Sequence, residues 1–452
     1  MERQIEEAWI LWKLNQKSQV EKIVIPLLDN YSGNIDLLQL AGNIYIDKGQ
    51  VGKAKELLKK LESALGSDNR RVKELKYIIL SREGNWPQAL KILEALLNES
   101  PQDWSLRRDY AATLAIVNRL PEAKDQYALL SQDKLRKNEI IWDFLHAKEE
   151  GSNALNLNFD YLHGPQSLRH YTITEGASGW VNGRLRLSAN LIEEQLRVMA
   201  LGDTPGVDKN VISNRIKAEY FANCAFKFYL NWEVAYLFSK AFNEPGIGVE
   251  FNQKNLHSKL AYDYNHLVRD PIAGLDKQAR IDKLTFDNDY TFLERFTLGN
   301  LYEVDWYRLK GEENQVNGKD SLGYKVFNDT YLSYLILRQP YISFNFHCKL
   351  THWNKSFDNA EQVLDFIGDE HIYYGGFYIE KRLGKILEVS ASLSRAYDAK
   401  RKFYYTLSNL ALDIWLRDNI KSTLAFEYDN NINGTSGQGN SSIVSTSVKA
   451  LF

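Results

Sequence analysis

The stretch AFKFYLNWEVAYLFSK (225–240) alternates large apolar residues with polar ones along its length. Successive side chains of a β-strand point to opposite faces of a sheet, so this period of two predicts a strand with one apolar and one polar face. The predicted apolar face carries Phe226, Phe228, Leu230, Trp232, Val234, Tyr236 and Phe238, and the other face carries Lys227, Asn231, Glu233 and Ser239. The fold of the chain depends on the environment that accepts so large an apolar face.

Composition narrows the class of protein before any element is placed. The 452-residue chain has 56 basic and 58 acidic residues, so no excess of charge predicts a nucleic-acid partner. Aromatic residues are frequent, at 12% of the chain, which suits a large aromatic-rich β-domain. The sequence contains no run of about 18 apolar residues, so it predicts no transmembrane helix. The first residues, MERQIEEAWILWKLNQK, do not have the pattern of a secretory signal peptide.

Residues 1–150 are predicted to form a domain of helical repeats. The segments 41–61, 76–96 and 110–130 align so that alanine occupies the same position in each, at Ala54, Ala89 and Ala123. A period of about 34 residues, with a small residue where two helices touch, resembles the tetratricopeptide repeat. Residues 1–33 fit this array as a fourth and weaker unit. The resemblance implies an α-solenoid that binds other proteins.

Residues 151–452 are predicted to form a second domain of antiparallel strands. From about residue 155 the period of the apolar residues changes from 3.6 to 2, and turn signals separate the alternating segments. Candidate strands number about 16, and many reach the 9–11 residues that a tilted membrane strand needs. The fold class predicted for the whole chain is therefore α + β in separate domains, an N-terminal α-solenoid followed by a C-terminal transmembrane β-barrel.

Two environments are open to the apolar faces of these strands. In a soluble β-domain they would have to interlock in a dry core, which seven large side chains from 225–240 alone would overfill. In a membrane barrel they face lipid and the polar faces line a wet lumen, and closure leaves no strand edge unpaired in hydrocarbon. We expect the barrel, with Trp232, Tyr236, Trp353, Tyr404 and Trp415 in the aromatic belts at its two interfaces.

The final strand supports the barrel and leads to a family resemblance. The chain ends in SSIVSTSVKALF, an alternating segment that closes on Phe452 and resembles the signal by which bacterial outer-membrane barrels are recognised for insertion. Helical repeats followed by such a barrel resemble the outer-membrane exporters of bacterial exopolysaccharides, of the PelB, PgaA and BcsC type. Such exporters begin with a secretory signal, so a truncated or split chain would explain the N-terminus.

The resemblance implies an export function in the outer membrane. The repeats would lie in the periplasm, where they guide polymer or bind periplasmic or lipoprotein partners, and the barrel would contact outer-membrane lipid and pass a linear polysaccharide outward. Acidic residues concentrate between 263 and 305, which favours a cationic, partly deacetylated amino-sugar polymer. The alternative is that lumen charges only keep the pore wet and pair across its wall. The residues predicted to line the polymer path are Glu219, Glu233, Asp263, Asp287, Asp289, Glu303, Asp305 and Glu388.

Other functions remain open at this point. The sequence contains no metal, phosphate-binding or nucleophile motif, so we expect no catalytic, cofactor or metal site. Asp287 and Asp289 have the spacing of a same-face carboxylate dyad, although a wet wall is the simpler interpretation. EQVLDF (361–366) has the pattern of a short helix that could plug the pore, or of a plain surface loop. The alternative functions are a barrel enzyme or general porin with a recruitment domain, and a soluble adaptor with a carbohydrate-binding β-domain.

Overall fold

The computed structural model divides the chain into two compact units, Met1–Ala147 and Lys148–Phe452. Cys224, Phe238, Ser239 and the EQVLDF segment (361–366) lie outside the described residues. The structure describes residues 2–14, 16–133, 136, 139–164, 169–198, 207–223, 225–237, 240–253, 255–268, 279–292, 295–309, 321–355, 369–430 and 441–452.

The first unit is built from helices that pack in consecutive pairs. None of the helices within the described ranges is long and apolar enough to cross a membrane. The helices are α1 (Glu2–Lys13), α2 (Lys17–Asn30), α3 (Ile35–Asp47), α4 (Val51–Leu65), α5 (Arg70–Arg82), α6 (Trp86–Glu99), α7 (Trp104–Ile116), α8 (Leu120–Leu130) and α9 (Ile141–Gly151), the last of which continues into the second unit.

The predicted small positions lie where paired helices meet. Ala54, Ala89 and Ala123 are fully buried at the starts of α4, α6 and α8. A methyl group there lets the paired helices approach closely, and large neighbours such as Leu93 and Leu114, both fully buried, fill the surrounding space. The helical repeat predicted from the 34-residue period is confirmed.

The boundaries of the repeats have their own sequence signals. The side chains of Asn34, Asn69 and Asp103 accept hydrogen bonds from backbone N–H groups at the starts of α3, α5 and α7, so each repeat has an N-cap in the same place. The turn inside each repeat requires a left-handed backbone, which Gly49 (φ 73°) and Gly84 (φ 78°) supply at no steric cost. These positions recur with the period of the buried alanines.

The second unit is a closed antiparallel barrel. Each strand pairs with its neighbours in the sequence, and β1 pairs with β16 to close the ladder. The strands are β1 (Ala154–His163), β2 (Arg169–Asn182), β3 (Leu185–Val198), β4 (Val207–Phe221), β5 (Phe226–Leu237), β6 (Lys240–Gln253), β7 (Leu256–Leu267), β8 (Arg280–Phe292), β9 (Phe296–Arg308), β10 (Ser321–Arg338), β11 (Tyr341–Lys355), β12 (Glu370–Leu383), β13 (Leu387–Asp398), β14 (Phe403–Arg417), β15 (Ile420–Asp429) and β16 (Ser441–Leu451).

The two ends of the barrel differ in the lengths of their connections. At one end the strands are joined by short turns such as 183–184, 339–340 and 418–419. At the other end most connections are longer, as at 268–279 and 309–320. We call these the short-turn end and the long-loop end. Transmembrane barrels of bacteria have short periplasmic turns and longer extracellular loops, so this asymmetry is the one expected of a membrane barrel.

The apolar faces of the strands point out of the barrel. On β5, Phe228 is 47%, Leu230 53% and Trp232 49% exposed, whereas Glu233 on the opposite face is 1% exposed. The prediction of an outward apolar face and an inward polar face is therefore confirmed, and a soluble domain with a dry apolar core is excluded. The same outward exposure, between 48% and 60%, is found at Leu157, Ile216, Leu230, Ile247, Phe377 and Leu393.

Two of the residues assigned to the aromatic belts were placed wrongly. Trp232, Tyr236 and Tyr404 are exposed on the outer face, at 49%, 45% and 63%. Trp353 and Trp415 are instead buried, at 6% and 4% exposed, because their strand parity turns them to the inside. Trp353 packs against Tyr307 with ring centroids 5.0 Å apart, near the long-loop end. Proximity to a strand end suggested the belt, but parity determines the face.

We predict that Leu230→Arg destabilises the barrel in lipid by about 2–4 kcal/mol, because a charge near the middle of a lipid-facing strand must enter hydrocarbon. The free energy of unfolding in lipid vesicles, measured by denaturant titration, would give this value. Ser445→Arg is the matched control, because Ser445 lies on the inward face of β16 opposite Asp160 of β1. Equal losses for the two variants would contradict the assignment of the faces.

Candidate functional site

All eight acidic residues predicted to line the polymer path lie on the inward faces of their strands. Glu219 and Glu233 belong to β4 and β5, Asp263 to β7, Asp287 and Asp289 to β8, Glu303 and Asp305 to β9, and Glu388 to β13. The outward positions beside them carry large exposed residues, as Tyr302 and Trp306 do next to Glu303 and Asp305. Their role in binding a polymer remains a prediction.

Most of these carboxylates pair with a cation on the same or a neighbouring strand. Nε of Arg215 donates to Glu233 at 2.7 Å, and Nζ of Lys217 donates to Glu219 at 2.8 Å. Nε of Arg382 likewise donates to Glu388 at 2.9 Å. The wall near these residues is therefore close to charge-balanced, as in the alternative in which lumen charges pair across the wall.

A second ion-pair network spans β7 to β10 near the long-loop end. Nζ of Lys283 donates to Glu303 at 2.9 Å, and Nζ of Lys325 lies 3.6 Å from Asp305 Oδ2. Asp263 accepts from the amide of Asn231 at 3.3 Å. Three of the acidic residues between 263 and 305, namely Asp263, Glu303 and Asp305, therefore have a cationic or hydrogen-bonding partner.

Asp287 and Asp289 differ from the other six acidic residues. The hydroxyl of Tyr331 donates to Asp289 across the intervening strand β9. Lys259 and His257 of β7 face Asp287 and Asp289 in the ladder, but no described residue is close enough to form an ion pair with either carboxylate. Their inward spacing is as predicted for a dyad, but Tyr331 occupies one member, and no described histidine or lysine bonds the other. The arrangement is a pair of inward acids that face one lysine and one histidine of the neighbouring strand.

The path of Tyr331 depends on a glycine. A Cβ atom built on Gly299 would lie 2.2 Å from Cζ of Tyr331 and 2.4 Å from Oδ1 of Asp289. Only a residue without a side chain lets the phenol ring lie along the wall at this point. Tyr229 crosses Gly248 in the same way, with its ring 2.3 Å from where a Cβ would stand. These rings therefore lie along the wall at glycine positions.

A row of aromatic side chains that the sequence analysis missed continues beyond Tyr331. His347 stacks on Tyr331 at 5.1 Å between ring centroids and on Tyr374 at 4.2 Å. Asp329 lies 3.2 Å from His347 Nδ1 and accepts from the hydroxyl of Tyr374 at 3.3 Å. The signal for this row was the inward parity of His347 and Asp329, but only the register of β10, β11 and β12 shows that they are neighbours.

A cluster of charges surrounds the last turn of α9 in the second unit. Glu149 accepts from Nζ of Lys421 and from Nζ of Lys449, each at 3.1 Å. Nε1 of Trp180 donates to the backbone carbonyl of Glu150 at 3.0 Å. Burial alone would raise the pKa of Glu149, but Lys449 and Lys421 outweigh burial and lower that pKa below its usual value of 4.5. The turn before β1 is thereby bound to β15 and β16 at the short-turn end.

Metal chemistry has no obvious site in the part of the chain that the structure describes. Within those ranges no group of three or more histidine, cysteine or carboxylate side chains could hold a metal ion. The inward face instead combines ion pairs, amides, hydroxyls and aromatic rings. Such a surface supports hydrogen bonding to a polar solute.

Comparison with known proteins supports the fold. No family model and no curated protein matches the chain. A solved bacterial polysaccharide outer membrane secretin is similar, with a TM-score of 0.52 and 9% identity over 67% of this chain and 98% of its own. The TPR protein YrrB is 21% identical over 33% of this chain and 77% of its own (TM-score 0.26), and OprD from Pseudomonas aeruginosa is 11% identical over 67% and 93% (TM-score 0.36).

The comparison with the secretin and the structure agree on the architecture of the barrel. The barrel has the fold of the polysaccharide secretin, and a helical repeat array precedes it. The resemblance to exporters that combine tetratricopeptide repeats with a sixteen-stranded barrel is thus confirmed for architecture. With its outward apolar face, the barrel is one that spans a membrane.

We predict that the Glu149 cluster stabilises the barrel by about 1–2 kcal/mol at neutral pH. A carboxylate with a lowered folded-state pKa contributes stability above its unfolded-state pKa, and this contribution is lost as the pH falls through the folded-state value. Glu149→Gln should therefore unfold more easily than the unmodified protein at neutral pH. The difference should shrink as the pH falls below 4.5, measured as unfolding free energies across a pH series. A difference independent of pH would contradict this account.

Proposed function

We propose that this chain is an outer-membrane pore that exports a bacterial exopolysaccharide. The observation that carries the proposal is the inward face, where ion pairs, amides, hydroxyls and flattened tyrosines provide many weak polar contacts. A polymer that must move needs sites that bind without trapping it, and repeated weak contacts provide them. A barrel of this strand number is also wide enough to leave an aqueous channel.

The helical repeats take the role of a periplasmic scaffold in this proposal. The short-turn end faces the periplasm in bacterial barrels, and β1 begins at that end, directly after α9. Repeat arrays of this kind present extended surfaces to other molecules. We infer that the repeats guide polymer to the pore or recruit periplasmic or lipoprotein partners.

The polymer proposed here is linear. The few acids of the inner wall that form no ion pair favour a polymer with positive charge. Asp287 and Asp289 lie inward and form no ion pair with a described residue, although Lys259 and His257 of β7 face them in the ladder. Asp329 is shared by the row of His347 and Tyr374. A cationic, partly deacetylated amino sugar would find its countercharges there. The ion-paired parts of the wall can form hydrogen bonds with the uncharged, acetylated sugars of such a polymer. We propose no catalytic step for this protein.

We expect linear polysaccharide to interrupt the ion current of the purified protein in planar lipid bilayers. Partly deacetylated poly-N-acetylglucosamine should block at a concentration several-fold lower than a neutral linear glucan of equal length. The double variant Asp287→Asn, Asp289→Asn should lose that difference, because it removes the unpaired charge, while its block by the neutral polymer stays unchanged.

The bilayer experiment also separates export from the other functions. Passage of small solutes with no block by any linear polymer would indicate a general porin instead. Cleavage of lipid or polymer by the purified protein would indicate an enzyme. Polymer retained inside cells that lack this protein, and released when the protein is restored, would support export directly.

A further inference from the structure

A cavity of about 410 Å³ opens in the inner wall of the barrel toward the long-loop end. It lies where β7 and β9 end and where β8 and β10 begin, and its volume is within the range of small-ligand sites. Its lining includes the carboxylates Asp263, Glu303 and Asp305, the ammonium groups of Lys283 and Lys325, the phenol of Tyr307 and the apolar side chain of Ile281. The cavity therefore combines charged, hydrogen-bonding and apolar groups.

One carboxylate oxygen in this cavity is buried and lacks a hydrogen-bond donor. Asp305 is 2% exposed, and its Oδ2 accepts from the hydroxyl of Tyr307 at 3.4 Å. Its Oδ1 is buried and accepts no hydrogen bond from a described residue, and Nζ of Lys283 lies 4.0 Å from it. Nζ of Lys325 lies 3.6 Å from the other oxygen, Oδ2. A buried acceptor without a donor is costly, so a ligand that donates to Oδ1 would gain the bond and remove that cost.

The neighbouring side chains bond to other carboxylates, so none of them donates a hydrogen bond to Oδ1 of Asp305. Nζ of Lys283 donates to Glu303 at 2.9 Å and lies 4.0 Å from Oδ1 of Asp305, which is beyond hydrogen-bond distance. His266, which also lines the cavity, pairs through Nδ1 with Glu244 at 2.8 Å, and its Nε2 lies 3.8 Å from Oδ1 of Asp263. The cavity is thus close to charge-balanced. Oδ1 of Asp305 lacks a hydrogen-bond donor, and the cavity as a whole does not lack a cation.

The remaining surface fits a polyhydroxylated ring. Tyr307 is held by Trp353, and Ile281 adds an apolar side chain against which the C–H groups of a ring can pack. Lys325 supplies ammonium hydrogens that a hydroxyl oxygen can accept. Sugars combine such apolar C–H faces with hydroxyl donors and acceptors around one ring, which matches this arrangement.

We propose that this cavity is a binding site for one sugar unit, with Asp305 Oδ1 accepting a hydrogen bond from a hydroxyl or amino group of that sugar. The proposal rests on the proposed export function only for the source of the sugar, a polymer in transit. Binding of a short oligosaccharide to the purified protein is a separate property. The site would hold the chain where it approaches the long-loop end.

The test is isothermal titration calorimetry on the purified protein, with both of its units, in detergent. The ligands are β-1,4-linked tetramers of glucosamine, N-acetylglucosamine and glucose. We expect Asp305→Asn to raise the Kd for a bound tetramer about tenfold, the effect of losing a charge-assisted bond. Loss confined to the glucosamine tetramer would identify an amino donor, and loss for all three a hydroxyl donor.

Controls keep the result interpretable. Glu427→Gln makes the same chemical change on β15, at an exposed carboxylate that accepts from Asn409 at 3.1 Å outside the cavity lining, and its Kd should equal that of the unmodified protein. Lys325→Met should raise the Kd several-fold through a different cavity group, which keeps the test valid if Asp305→Asn folds poorly. Heat-modifiable migration on a gel reports folding of each variant.

Two outcomes would overturn the site, and they differ from failure of export. No tetramer binding, or binding that Asp305→Asn and Lys325→Met leave unchanged, would refute the site even if long polymer still blocks the pore. Tetramer binding that depends on Asp305, without any block by long polymer, would support the site and refute export.

Discussion

The barrel depends on satisfying every backbone amide in a medium that offers no water. An unpaired peptide group in hydrocarbon costs several kcal/mol, so the ladder has to close. Pairing of β1 with β16 over Ala154↔Leu451 to His163↔Ser442 achieves this closure. Once the ladder is closed, the period-two alternation of each strand assigns one set of side chains to lipid and the other to the interior. The polar chemistry of the inner wall is a consequence of that assignment.

Much of this architecture could be predicted because it is encoded locally. Alternation within a strand fixes which residues share a face, so 225–240 was enough to predict an outward apolar surface and an inward Glu233. The helical repeats were equally accessible, because Ala54, Ala89 and Ala123 recur at one period. The N-caps at Asn34, Asn69 and Asp103 recur with the same period and could have been found by the same alignment.

What could not be predicted depends on register between strands. Sequence parity placed Glu303 and Lys283 on inward faces, but their 2.9 Å bond requires the pairing of β8 with β9. The stacked row of Tyr331, His347 and Tyr374 likewise needs two strand registers at once. The prediction that Trp353 and Trp415 lie in the aromatic belts is wrong because strand parity, and not position near a strand end, decides which face a side chain occupies. The ion pairs of the lumen acids also depend on register, so the sequence leaves open which of these acids are paired.

The glycine beneath Tyr331 has a consequence for how the wall is assembled. Tyr331 stands opposite Gly299 in the ladder, and a slip of two residues would keep every side chain on its correct face. Hydrophobic patterning alone therefore does not penalise that error. The slipped phenol would meet Thr297 or Leu301 instead of a bare backbone and would collide with a side chain. The missing Cβ at Gly299 thus permits one register of β9 against β10 and disfavours its neighbours. Because the registers of successive strands add up to the shear of a barrel, this glycine also helps to determine the barrel's diameter.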